Sequence, residues 1–141
     1  MPAFWDTSAL IHVCVPGQAT RQARKLLRQH SPVIWWAAPV ETRSALERLR
    51  FAGAISSNSY TACRRRLDLL LGSCREVQPT DLVRDLACVQ LERFRLRASD
   101  ALHLAAALVR SRQKPRGRFF LCNDERLCVA ARQAGFEVVE A

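Results

Sequence analysis

Short apolar runs alternate with longer amphipathic stretches along this chain, and each switch between the two marks an element boundary. Residues 3–5 form an apolar run too short for a helix and predict a first strand; residues 7–13 predict a helical turn or short helix, broken by Pro16 and Gly17. Thr20 is placed to cap a basic amphipathic helix through about residue 29. Residues 32–37 predict a second strand, buried on both faces because Val33, Ile34, Trp35 and Trp36 show no alternation. Pro39 suits the first position of a helix running to about residue 52, with Gly53 as its stop. Ser56 caps the next, through Arg64, Arg65 and Arg66 to residue 71, where Gly72 ends it. A weak strand at 75–77 precedes a helix from Thr80 to about 94 and another, capped by Ser99, to about 112. Pro115 and Gly117 interrupt a basic loop, after which 119–122 reads as a strand, 125–134 as a helix closed by Gly135, and 137–139 as a last strand. Strands alternating with helical crossovers predict a three-layer α/β fold, with a central parallel sheet of about four or five strands flanked by helices.

The 141 residues suit one domain, and an apolar fraction of 49% beside a charged fraction of 25% argues against disorder. There is no internal repeat and no low-complexity linker. No apolar stretch approaches the roughly 18 residues that cross a bilayer, and the chain start lacks the pattern of a secretory leader, so the expected location is cytoplasmic. Charge changes the picture more. The 22 Lys and Arg against 13 Asp and Glu leave a formal net charge of +9, which points to a polyanionic partner or to a solvated basic surface. All but Lys25 and Lys114 of those cations are arginine. The cysteines Cys14, Cys63, Cys74, Cys88, Cys122 and Cys128 show no CxxC spacing and are read as small core residues.

Against that basic background, Asp6, Glu41, Asp100 and Asp124 each fall where an apolar or small-residue run gives way to a helical pattern. Any one of them is explained as a helix cap or a first-turn acid. Capping does not explain an acid at each of these corners. In an open parallel sheet such corners converge on one edge, where ligands bind, and clustered carboxylates there would hold a divalent ion.

The residues around these acids carry a resemblance. Phe4-Trp5-Asp6-Thr7-Ser8-Ala9-Leu10, Pro39-Val40-Glu41 with Ala45-Leu46-Glu47-Arg48-Leu49, Leu96-Arg97-Ala98-Ser99-Asp100-Ala101-Leu102-His103-Leu104-Ala105, and Phe120-Leu121-Cys122-Asn123-Asp124-Glu125-Arg126-Leu127 with Ala130-Ala131 and Gly135 resemble the four blocks of a PIN domain. The likeness is to the VapC-type toxin ribonucleases of prokaryotic toxin-antitoxin pairs, spans nearly the whole chain, and is most specific at Asp100. Many relatives carry Thr or Ser where this chain has Cys122, so a supporting hydroxyl beside the last acid is absent. The resemblance implies Mg²⁺- or Mn²⁺-dependent cleavage of RNA, with Asp6 and Asp100 as direct ligands. Glu41 and Asp124 would bind through water, hold a second ion, or orient the attacking water; Thr7 or Ser8 would support the site or cap the first helix. It also implies a cognate antitoxin and a homodimer.

The remaining candidates weigh less. His103, between Leu102 and Leu104, is read as a packed core histidine, and His12 and His30 lack partners at diagnostic spacing. Arg126 is expected to pair with a site acid; Arg93, Arg95, Arg97 and the strip from Arg110 to Arg118 are candidate RNA guides; Arg64 to Arg66 read as a solvated helix face; Trp35 and Trp36 as core or dimer surface. Two readings of other kinds compete. A catalytically inactive RNA-binding or assembly module would show the same basic charge. An aspartyl phosphatase of the haloacid dehalogenase type would carry Asp-x-Asp, and position 8 is serine.

Overall fold

The computed structural model describes Met1–Ala141. Its elements run β1 (Pro2–Trp5), α1 (Thr7–Cys14), α2 (Thr20–Gln29), β2 (Ser31–Trp35), α3 (Ala38–Phe51), α4 (Ser57–Ser73), β3 (Arg75–Val77), α5 (Asp81–Arg93), α6 (Ala98–Arg110), β4 (Phe119–Cys122), α7 (Glu125–Ala134) and β5 (Glu137–Glu140). The strands form one five-stranded sheet in the order β3-β2-β1-β4-β5, and every pairing is parallel. Phe4 at the centre pairs with Val33 on one side and Phe120 on the other.

The alternation of strand side chains divides the core into two layers. Ala3, Trp5, Ile34 and Leu121 pack under α1 to α4; Phe4, Val33, Trp35, Phe120 and Cys122 pack under α5 to α7. The three inner strands β1, β2 and β4 are therefore covered on both faces, which is why their sequences read as unbroken apolar runs. Phe4 stacks on Phe120 at a centroid distance of 5.3 Å. Leu104, wholly buried on α6, shows the strength of this packing: truncation to alanine is expected to cost about 2–5 kcal/mol.

The strand order sets the site. From β1 the chain steps to β2 and β3, then crosses to the other side of β1 for β4 and β5. The connections leaving β1 and β4 thus diverge, and an α/β sheet opens its ligand crevice at such a switch point, beyond the carboxyl ends of the strands.

Several expected boundaries shift. Thr20 does not cap α2; that place belongs to Ala19, and the Thr20 hydroxyl donates to Val15 O at 2.8 Å, a better use for a buried hydroxyl. Ser99 lies inside α6, whose cap position is Arg97, so Asp100 occupies the first helical turn without a capping duty. Gly72 sits within α4 rather than ending it. Strand β2 stops at Trp35, and Trp36 turns half-exposed into the β2–α3 corner. Four of the cysteines are core residues as expected, Cys14, Cys63, Cys122 and Cys128, whereas Cys74 is half-buried and Cys88 exposed; Cys122 and Cys128 also meet as a disulfide across the β4–α7 corner. A six-residue separation that spans a strand end and a helix is not a diagnostic cysteine spacing, so the pair is invisible in the sequence. No helix is long and apolar enough to cross a membrane.

Candidate metal centre at the switch point

Asp6 follows β1 directly and caps α1. Its Oδ2 accepts from the Ser8 backbone N–H at 3.2 Å and from the Ser8 hydroxyl at 2.7 Å. The same Ser8 Oγ accepts from the Asn123 backbone N–H at 2.8 Å, while the Asp6 N–H donates to Leu121 O at 2.9 Å. Ser8 therefore ties the β1–α1 corner to the β4–α7 corner. Thr7 stands 3.5 Å from His103 Nε2. Capping of α1 falls to Asp6 and not to either hydroxyl.

On the far side of the crevice, Asp124 caps α7 by accepting from the Leu127 N–H through Oδ1 at 3.0 Å. One carboxylate oxygen is engaged there and the other carries no such bond. Asp100, from the first turn of α6, shares a cleft of about 390 Å³ with Asp124, walled by Arg97, Ser99, Glu125 and Arg126. Burial, then the charges of Asp124 and Asp6, push the Asp100 carboxyl up to about 6, against a partial offset from His103 and an Arg97 backbone hydrogen bond. Asp100 thus feels the charges of Asp124 and Asp6 from the β4 and β1 corners, although its own helix follows α5 and not a strand.

Glu41, in the first turn of α3, reaches the site through His103. The His103 Nε2–H donates to both Glu41 oxygens at 3.1 Å, and Nδ1 lies 3.3 Å from Asp6 Oδ1. This second approach is a charge contact rather than an aligned hydrogen bond, which is why Nδ1 remains without a hydrogen-bond partner. The ring is 1% exposed and meets Phe4 edge-on. Burial opposes the imidazolium, but the Glu41 hydrogen bond and the Asp6, Glu41 and Asp100 charges outweigh it and hold the His103 pKa above its ordinary value. His103 is buried as expected, yet it is no apolar-core filler: it joins two of the acids. Asp100 and His103 at i and i+3 share one helix face, but the acids that His103 joins lie far away in the chain, so spacing carries no signal of the bridge.

The arginines divide by position. Arg126 lines the acid cleft but forms no ion pair, contrary to the pairing expected of it; the paired arginines are Arg43, Arg50, Arg84 and Arg132. Arg93 and Arg95 line a groove that shares Glu125 and Arg126 with the acid cleft. Arg110 and Arg118, in contrast, flank a pocket beside Pro2 and Ala3, at the amino ends of the strands, so this strip lies at the wrong edge of the sheet to guide a substrate to the acids. Arg64, Arg65 and Arg66 are all exposed, as expected of a solvated face, and Arg66 also donates to Cys14 O at 3.4 Å. His12 Nδ1 bonds Ala141 O at 2.9 Å, His30 packs on Phe119, and neither lies among the acids.

The donor set suits a hard divalent cation in kind. Asp6, Asp100 and Asp124 offer carboxylate oxygens, and the raised Asp100 pKa marks a point where a positive charge is wanted. No three His, Cys, Asp or Glu side chains form a ready metal cage, and Glu41 is turned toward His103. Mg²⁺, which keeps several of its waters, needs only one or two of these carboxylates directly. The crystal structure of PAE2754 from Pyrobaculum aerophilum is similar in fold, with a TM-score of 0.64 and 17% identity over 99% of this chain and 89% of that one. No family model matches the chain, and no curated protein does.

Proposed function

We propose that this chain is a Mg²⁺- or Mn²⁺-dependent endoribonuclease of the PIN-domain family, acting as the toxin of a type II toxin-antitoxin pair. The observation that carries this reading is the cleft shared by Asp100 and Asp124, where the Asp6 charge is also felt at Asp100, beside arginines with no acidic partner. A divalent ion held there supplies charge neutralisation of the phosphate and a water of lowered pKa. Asp6, fixed by Ser8 and faced by His103, and Asp100, unencumbered by capping, are the direct holders. Asp124 positions or binds through water with its free oxygen, and Glu41 acts from behind His103 or as the base that orients the attacking water. Arg97 and Arg126 stand at the rim, where they would draw the RNA phosphate toward acids that otherwise repel it. No nucleophilic side chain is needed.

The toxin reading brings with it a cognate antitoxin and a homodimer. The exposed Trp36, Val40, Phe51 and Leu69 offer apolar surface for such contacts. A second reading, an inactive RNA-binding or assembly module, has one observation in its favour: the buried His103 ring already engages carboxylate oxygens of Asp6 and Glu41. Incubating purified protein with RNA in Mg²⁺ or Mn²⁺, with and without a chelator, separates the two. The enzyme reading expects metal-dependent cuts abolished by chelation. RNA bound but left whole under every metal condition would support the inactive module instead.

A further inference from the structure

A basic groove runs out of the acid cleft. It is lined by Arg93, Phe94, Arg95, Val129 and Gln133, has a volume of about 530 Å³, and shares Glu125 and Arg126 with the cleft that holds Asp100 and Asp124. Its cations have no acidic partner in the fold: Arg93, Arg95 and Arg126 form no ion pair, nor does Arg97 in the adjoining cleft. An arginine whose charge only solubilises a surface needs no aromatic beneath it. Here the Arg93 guanidinium lies 5.0 Å over the centroid of the half-buried Phe94 ring. Phe94 is held in place because it ends α5 with extended backbone, its N–H bonded to Gln90 O at 2.9 Å. A ring and a guanidinium stacked in this way form a platform for a flat aromatic ligand, with further cations lining the same groove.

We infer that this groove binds a single-stranded RNA segment flanking the scissile phosphate, with one unpaired base stacked on the Phe94–Arg93 platform and backbone phosphates against Arg95 and Arg126. The inference rests on the ribonuclease reading in taking the polyanion to be RNA. The preference for a single strand comes from the platform, since a base paired inside a duplex has no free face to offer it. An acidic peptide would satisfy the arginines but would leave the platform without a purpose.

The test uses the intact chain, a fluorescently labelled eight-nucleotide RNA and anisotropy in a chelating buffer, so that binding is read without cleavage. Arg93→Gln and Arg126→Gln are expected to weaken binding at least about fivefold at low salt, and each to lower the slope of log affinity against log salt by about 0.7. Phe94→Leu, which keeps apolar volume against the core, is expected to weaken binding about fivefold or more with the slope unchanged, because stacking releases no counterions. A fully paired RNA of the same length should bind more weakly and ignore Phe94→Leu. Melting temperatures of the variants identify any loss that comes from unfolding; in that event, Phe94→Tyr, which retains the ring, must restore binding. Unchanged affinity in all three variants, equal binding of duplex and single strand, or displacement by polyglutamate that ignores Phe94→Leu would overturn the inference. The two readings fail separately. RNA that is cut but insensitive to these variants removes the groove and leaves the ribonuclease; RNA held by the groove yet never cut with metal does the reverse.

Discussion

His103 changes the meaning of two acids. Read alone between two leucines it is a core residue, but its imidazole spans Asp6 and Glu41 and is raised in pKa by them. Removing the Glu41 charge should therefore lower the His103 pKa, and an NMR titration of the Glu41→Gln variant should show it; an unmoved or higher value would contradict the pairing. Asp100 is raised in pKa as well, but there the charged form is the one disfavoured. Its folded pKa of about 6 lies above the ordinary value of 3.8, so the stability it contributes is full below pH 3.8 and is lost as pH rises through about 6. Burial and the facing Asp124 and Asp6 outweigh the favourable helix dipole in the first turn of α6. Without metal, Asp100→Asn should stabilise the protein at pH 7.5 by on the order of 1 kcal/mol after allowance for solvent screening, and the gain should vanish near pH 4. Denaturant curves at the two pH values check this; a variant less stable than wild type at pH 7.5 would dissolve the like-charge cluster. The corners that carry Asp6, Glu41 and Asp124 were legible because each follows an apolar strand run, whereas Asp100 opens a helix that follows α5, so the expected strand end before it is missing. The His103 bridge and the Ser8 link to Asn123 were not legible, since both join residues far apart in the chain by angles that sequence does not encode.

Helix starts reveal which acids have a structural duty as well. Asp124 caps α7 through one oxygen, and Asn would cap as well as Asp, so the two roles separate by substitution. Asp124→Ala should cost about 1 kcal/mol through the lost cap, whereas Asp124→Asn should cost nothing or stabilise the metal-free protein by easing the repulsion on Asp100. Added Mg²⁺ should raise the wild-type melting temperature more than that of Asp124→Asn. Equal losses in both variants, with no metal effect on wild type, would reduce Asp124 to a cap. Element order and type were readable throughout, because apolar runs of strand length and helical periods differ plainly here. Cap identity was less so. Thr20 and Ser99 have capping side chains yet lie inside their helices, where the Thr20 hydroxyl serves Val15 O and Ser99 walls the acid cleft. The clasp between α3 and α4, in which Tyr60, Arg43 and Arg50 surround Glu47, has no signature in spacing beyond the Arg43–Glu47 pair.

The parallel sheet and its two helical layers follow from alternation and crossover length, but the order β3-β2-β1-β4-β5 does not, because similar apolar strands specify no unique neighbours. That order is what brings Asp6 beside Asp124 and opens the crevice. It also strands Arg110 and Arg118 at the opposite edge, while leaving Arg93, Arg95, Arg97 and Arg126 beside the acids. One face of the molecule thus combines negative charge at its centre with unpaired positive charge around it, a distribution suited to drawing in a phosphate chain and completing its binding with a cation. RNA affinity should accordingly fall steeply between low and physiological salt, measured by anisotropy, and a flat profile would contradict an electrostatic RNA surface. The most direct test of the metal-centred site is single-turnover RNA cleavage by wild type, Asp6→Asn and Asp100→Asn in Mg²⁺, with RNA affinity measured on the same samples. A group that acts only in the transition state lowers the rate constant and spares binding, so each variant should cut at least about tenfold more slowly with its affinity retained. Cleavage at the wild-type rate by either variant would contradict the account.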